Sequence, residues 1–298
     1  MKFALGIVNF KWPGGEAEMG RRLGEIGRTA EDAGFDALWV WDHFVDLARW
    51  EDPLLEGWLT LANLAAATKR VKLGTLVTGV TYRHPAILVK QATTLDVLSG
   101  GRLFFGVGAA WNEREHHAFG APFPPLGERF ELLEDCLQIA HRAWRGERGA
   151  FQGKRVHLSE QIDSPAPVQK PHPPILIGGG GERKTLRLVA KYADATHQTT
   201  SDPAVFQHKM EVLREHCADV DRSFDEIERW AGLETRARDS RDRVADAGQI
   251  LDHAGRLAEV GVQVVTLTLP NMSGVNVIDQ FGRDIIERAR KLEPAAVG

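Results

Sequence analysis

The feature that most constrains this chain is a rhythm repeated eight times. Short apolar runs rich in β-branched and aromatic side chains alternate with segments of helical period, the runs falling at residues 3–10, 37–41, 71–78, 102–109, 174–177, 193–199, 229–236 and 262–269. An apolar run without polar alternation is a strand covered on both faces, as in parallel sheets. Parallel neighbours need a crossover, and helices supply it here. In the first helix Met19, Leu23, Ile26, Ala30 and Ala33 make one stripe, and Gly34 stops it. Leu126, Phe130, Leu133, Leu137, Ala140 and Trp144 mark the clearest helix. Others are expected at 59–68, 85–99, 182–192, 205–218, 242–260 and 277–291. Residues 30–40 and 258–267 echo each other weakly as helix end, glycine and buried strand. Eight such units in order predict an α/β fold, a (β/α)8 TIM barrel. An open doubly wound sheet is the alternative, and the regular count favours closure.

One segment breaks the rhythm. Residues 146–173 are polar, Pro-rich towards their end and too long for an ordinary connection, so they read as an insertion between strands four and five. Short strands are expected there near Phe151 and Val156. Because the alternation resumes afterwards, residues 1–298 read as a single domain, a length ordinary for one barrel. The net charge of −4 offers no footprint for nucleic acid or an anionic membrane. Cys136 and Cys217 are too few for a disulfide framework or a structural zinc site. Residues 1–10 lack a signal-peptide core, and no window approaches about eighteen apolar residues. A cytoplasmic enzyme is the plain expectation.

In such a barrel the active site lies where the strands end. Those ends hold Asn9, Asp42-His43, Val77-Thr78-Gly79, Ala109-Ala110-Trp111-Asn112, the glycines at 178–181, and His197-Gln198. They are poor in carboxylates and rich in glycine, amide and aromatic groups, which suits a large planar ligand. The glycine run opening a helix lets backbone N–H groups approach an anion, so a phosphate belongs there, with Arg183 adding charge. A flexible turn is the bland alternative. A dinucleotide fingerprint fits poorly, since no acidic residue closes a second strand about 20 residues on. His43 at the mouth suits general acid/base work. Asp42 and His43 are neighbours on one strand and point apart, and no third ligand stands out, so no metal site is expected. His116, His117, His208 and His216 read as solvated.

These residues resemble the bacterial luciferase-like monooxygenase superfamily, most closely its coenzyme F420-dependent branch. The resemblance rests on Trp-Val-Trp-Asp-His-Phe at 39–44, Gly-Thr-Leu-Val-Thr-Gly-Val-Thr-Tyr-Arg-His-Pro at 74–85 and Leu-Asp-Val-Leu-Ser-Gly-Gly-Arg-Leu at 95–103. Gly-Val-Gly-Ala-Ala-Trp-Asn-Glu at 106–113 and Pro-Ile-Leu-Ile-Gly-Gly-Gly-Gly-Glu-Arg at 174–183 complete it. It implies a deazaflavin, or alternatively FMN, bound at the strand C-termini. By alignment a non-proline cis peptide falls at Leu76–Val77, behind the ring. Asp42, Thr78, Ala109, Ala110 and Asn112 fall where relatives contact the ring and ribityl chain. Gly180, Gly181, Glu182 and Arg183 fall on the phosphate site. His43 matches a histidine that handles a proton during hydride transfer in the sugar-phosphate dehydrogenases of the family. Their second catalytic position, a glutamate, aligns with Trp111, which puts sugar-phosphate oxidation in doubt. The expected pocket is walled by Trp41, His43, Trp111 and the loop at 50–58, around a small organic substrate. The resemblance also implies a homodimer. FMN-dependent monooxygenation fed by a separate reductase is the rival activity; a cofactor-free isomerase or aldolase, or a non-catalytic binding protein, lies further off.

Overall fold

The apolar runs become the staves of a barrel. The computed structural model describes residues 1–237 and 240–295, so the span 1–298 expected for one domain extends over residues outside those described. The strands are β1 (Lys2–Gly6), β2 (Ala37–Val40), β3 (Lys72–Thr75), β4 (Thr78–Gly79), β5 (Phe105–Gly108), β6 (Phe151–Gln152), β7 (His157–Leu158), β8 (Ile175–Gly178), β9 (Ala195–Gln198), β10 (Glu228–Gly232), β11 (Arg236–Ala237), β12 (Ser240–Val244) and β13 (Val264–Leu267). Nine of them form one sheet in the order β3-β2-β1-β13-β10-β9-β8-β5-β4. Its paired strands run parallel.

The two ends of that sheet meet. Leu73 N–H donates to the Arg102 carbonyl at 2.8 Å and Phe104 N–H to the Leu73 carbonyl at 2.9 Å, closing the ring. β3 and β4 are one predicted strand, interrupted at Leu76–Val77, whose peptide bond is cis. Eight staves in chain order therefore make the expected TIM barrel.

Outside run α1 (Glu16–Asp32), α2 (Gly57–Ala67), α3 (Pro85–Ser99), α4 (Glu113–Phe119), α5 (Leu126–Trp144), α6 (Thr185–Tyr192), α7 (Pro203–Asp219), α8 (Ala247–Glu259) and α9 (Asn276–Phe281). The stripe foreseen on α1 is buried at Met19, Leu23, Ile26 and Ala30. After α9 the helix widens into one π turn over Gly282–Ile286. A Cβ at Gly282 would sit 2.5 Å from the Ala33 carbonyl, so this turn passes directly over the end of α1.

Two apolar compartments result. The larger fills the space between strands and helices. The smaller fills the lumen with Ala4, Trp39, Phe104, Leu176 and Trp230 among others. A Cβ at Gly6 would lie 2.3 Å from the Trp39 ring, so that glycine makes room for the lumen's aromatic filling. These rings seal the lower barrel, and the upper end stays open.

Residues 146–173 carry the expected short strands as the antiparallel pair β6–β7. The segment is tied down by two buried carboxylates. Asp135 accepts the N–H groups of Lys154, Arg155 and Val156 at 2.7–3.0 Å, and Asp96 accepts that of Val168 at 2.7 Å. The later chain departs from expectation. Strand seven stops at Gly232 rather than residue 236, β11 and β12 form a small ribbon, and the helix expected from 242 begins at Ala247. Asp246 sets that start by accepting Gly248 N–H at 2.8 Å. No helix among the described residues is long and apolar enough to cross a membrane.

Candidate active site

The strand C-termini open into a cavity of about 630 Å³. β2 delivers three consecutive side chains to it, Trp41, Asp42 and His43, and their neighbours then divide them. Asp42 is pinned by Arg83, which donates to its two oxygens at 2.7 and 2.9 Å and also to Glu56, the cap of α2. Burial raises the Asp42 carboxyl to about 6, with the Arg83 guanidinium pulling the other way, so it is ionised at neutral pH.

His43 is held differently. Its Nδ1 lies 2.6 Å from Glu115 Oε2, which also accepts the Tyr82 hydroxyl at 2.6 Å, while Glu115 Oε1 accepts Phe44 N–H at 2.5 Å. Glu115 is 0% exposed. Burial works against its ionisation, yet the hydrogen bonds from His43, Tyr82 and Phe44 outweigh it and hold the carboxyl below its ordinary value. Burial, aided by Glu115, pushes the Tyr82 hydroxyl up, so its proton stays put. An ionised carboxylate only accepts, hence His43 Nδ1 carries the proton and Nε2 is the basic nitrogen. The imidazole stands edge-on between Trp41 and Trp111, centroids 6.0 and 5.7 Å away.

The strand ends carry few carboxylates, and two more stand behind the cavity wall. Asp42, Glu56 and Glu115 converge on Arg83 and His43, because two of them are folded in from helix starts rather than strand ends. His116 is corrected from solvated to buried. Its Nδ1 meets the Asn112 carbonyl at 2.7 Å, its Nε2 meets Thr81 Oγ1 at 2.6 Å, and its ring stacks on Tyr82 at 4.2 Å. Burial lowers its pKa. His117 and His208 are exposed and His216 is half-buried. The loop at 50–58 does not line the cavity: Trp50 lies under the Arg114 guanidinium at 3.6 Å, and Trp58 is buried, donating to Thr78 Oγ1 at 3.2 Å. Leu47 and Tyr82 line the cavity instead.

Leu76, Val77, Thr78, Ala109, Ala110 and Trp111 all reach the cavity. The Thr78 hydroxyl is taken up by Thr75 at 2.8 Å and by Trp58. Ala110 is left-handed at φ 60°, and its carbonyl and that of Ala109 turn towards Arg129. The N–H groups of Ala109 and Ala110 meet no acceptor among the described residues. Asn112 stands back from the cavity, capping α4 by accepting Glu115 N–H at 3.3 Å.

Of the glycine run, Gly178 and Gly179 line the cavity, together with Thr185. Gly180, Gly181, Glu182 and Arg183 follow outside that lining, and their main-chain N–H groups have no acceptor among the described residues. The helix expected from 182 begins at Thr185. The Glu182 side chain is drawn to α7, accepting from Lys209 at 2.5 Å and His208 at 3.1 Å, while Arg183 is exposed.

The opposite wall, from β9, β10 and β13, carries hydroxyls and, just beyond β10, the Glu234 carboxylate. Its centre is His197, 7% exposed, whose Nε2 lies 3.0 Å from Thr266 Oγ1. Burial lowers this imidazole to about 4.

The sequence matches the family described as luciferase-like monooxygenase over residues 1–292. An uncharacterised protein of Mycobacterium tuberculosis is 30% identical over 222 residues, covering 74% of this chain and 71% of that one. The F420-dependent glucose-6-phosphate dehydrogenase of Intrasporangium calvum is 34% identical over 199 residues, 63% of this chain and 55% of the dehydrogenase. Among solved structures, the coenzyme F420 dependent tetrahydromethanopterin reductase from Methanopyrus kandleri superposes with a TM-score of 0.78 over 96% of this chain and 99% of that one, at 18% identity. That last likeness concerns the fold.

Proposed function

The chain belongs to the luciferase-like monooxygenase family, and on that premise we propose that it is a coenzyme F420-dependent oxidoreductase. It would move a hydride between the deazaflavin and a small organic substrate. The observation that carries this reading is His43, presented to the cavity between two tryptophans with its Nδ1 tied to a buried carboxylate and its Nε2 left free to react.

The residues present fit such a cofactor. Leu76, Val77, Ala109 and Ala110 offer an apolar shelf for a planar ring, and Ala109 and Ala110 add unmet N–H donors. The unmet N–H groups at Gly180, Gly181, Glu182 and Arg183, just before a helix, suit the phosphate, with Arg183 reinforcing the charge. Asp42 and Thr78 border the same shelf, and Asn112 supports it from behind by capping α4. Trp41 and Trp111 would contact substrate.

When bound, F420 supplies the centre that exchanges hydride. The chain does the rest. His43 Nε2 takes the proton from a substrate hydroxyl, or returns it to a carbonyl in the reverse direction. Glu115 keeps the other proton on Nδ1 and stabilises the imidazolium that forms, while Trp41 and Trp111 keep water from the ring.

The test is titration of the purified protein with F420 and with FMN. Tight F420 and weak FMN binding supports the proposal. The reverse outcome hands the site to an FMN-dependent monooxygenase fed by a separate reductase. We further propose a homodimer in the cytoplasm; sedimentation at monomer mass would end the first part.

A further inference from the structure

The wall formed by the ends of β9, β10 and β13 carries none of the His43 machinery, but it has polar groups of its own. Thr199, Ser201, Thr266 and Thr268 line it with small neutral groups around His197. No lysine or arginine lines the cavity among the described residues. The two carboxylates that do are already engaged, Asp42 by Arg83 and Glu234 by Arg236 N–H at 2.9 Å. A phosphate placed here would be desolvated beside carboxylates without a cation, which is strongly unfavourable.

The hydrogen bonds behind His197 decide what it offers. Thr266 Oγ1 donates to the Ala231 carbonyl, 3.3 Å away, so it accepts from His197. The proton is thus on Nε2, and Nδ1, with no partner among the described residues, is an acceptor on the cavity side. Burial keeps the ring uncharged through the neutral range.

Resting on the function proposed above, we propose that this wall selects an uncharged substrate, an alcohol or the matching ketone carrying a second hydroxyl on an apolar frame, and that His197 reads that second hydroxyl. The reacting alcohol loses its C–H hydrogen as hydride to F420 and its O–H proton to His43 Nε2, leaving a carbonyl. The second hydroxyl is unchanged and donates to His197 Nδ1. The frame lies against Trp41, Trp111 and Phe130, across the cavity. This separates the chain from its relative named for glucose 6-phosphate.

The experiment loads the full chain with F420, followed by cofactor fluorescence, then adds trans-1,2-cyclohexanediol, glucose or glucose 6-phosphate. Binding is read by calorimetry and turnover by cofactor absorbance. The diol is expected to bind at least about tenfold tighter than glucose 6-phosphate, and the phosphate is expected to add nothing to glucose. His197→Leu is expected to raise KM for the diol about ten- to hundredfold with kcat and F420 affinity little changed, and His197→Asn to restore part of it. In ¹⁵N-histidine spectra of the wild type, Nδ1 should stay unprotonated and Nε2 protonated from pH 8 to pH 5. Glucose 6-phosphate binding as tightly as the diol overturns the inference and leaves the F420 reading standing. So does unchanged diol binding in His197→Leu, or a doubly protonated ring above pH 6. Failure to bind F420 at all overturns both.

Discussion

His43 and His197 face one cavity from opposite walls, and what stands behind each ring makes them different reagents. Behind His43 is a buried carboxylate 2.6 Å from Nδ1, itself bonded to Tyr82 and Phe44. Behind His197 is a threonine hydroxyl whose proton goes to a carbonyl. The first arrangement stabilises an imidazolium and equips the ring to carry a proton. The second gives charge nothing to lean on, and burial lowers the ring to about 4. One side chain type thus serves as proton carrier on one wall and as fixed neutral acceptor on the other, according to the partner of its second nitrogen.

The comparison breaks most readily at His43. His43→Ala is expected to lower kcat about 10²–10⁴-fold while F420 still binds; turnover at the wild-type rate, measured by single-turnover absorbance, would remove His43 from the chemistry. Next comes the ion cluster on the same wall. Arg83→Met leaves Asp42 and Glu56 without their cation and should cost about 3–5 kcal/mol in denaturant unfolding. A cost under about 1 kcal/mol would show that water reaches those carboxylates.

The His197 side of the comparison is sharpened by pH. With the ring at about 4 folded and 6.5 unfolded, the unfolded chain binds more protons between those values. The contribution, about 3 kcal/mol, is therefore full above pH 6.5 and lost as pH falls towards 4. Urea unfolding of wild type against His197→Asn should show a gap that closes over this window, and a pH-independent gap would contradict the burial argument. Glu115→Gln keeps the shape and removes the charge behind His43. It should lower kcat about ten- to hundredfold and displace the pH profile of kcat/KM; a lower rate with an unmoved profile would make Glu115 merely structural. The smallest effect is expected at Trp111. It is 66% exposed, and Trp111→Ala should raise KM for an apolar substrate by less than about tenfold.

Legibility in the sequence followed contact range. The strands, the α1 stripe and the turn into His43 depend on neighbours a few residues away, and they were readable. Glu115 was not, because its partner is 72 residues distant. One local sign existed: Asn112 with a glutamate three residues on is the pattern of a helix start. It marks α4 correctly, but the Glu115 side chain goes to His43 instead of capping. His116 gave no sign at all, since burial of an isolated histidine depends on what the fold lays over it. Residues 229–260 misled in the other direction: a mixed apolar and charged stretch carries both periods, and Asp246, not periodicity, decided where α8 begins.

By itself the order of residues determined the eight-stave alternation, the position of Asp42 and His43 at a strand end and the glycine run before α6, because backbone periodicity and turn chemistry are local. Only the tertiary structure decided which nitrogen of each histidine is free, which carboxylates are neutralised, and that one wall of the mouth backs its histidine with a carboxylate while the other backs its own with a hydroxyl. Those properties come from pairs brought together by barrel closure, and from the removal of water that makes each such pairing strong.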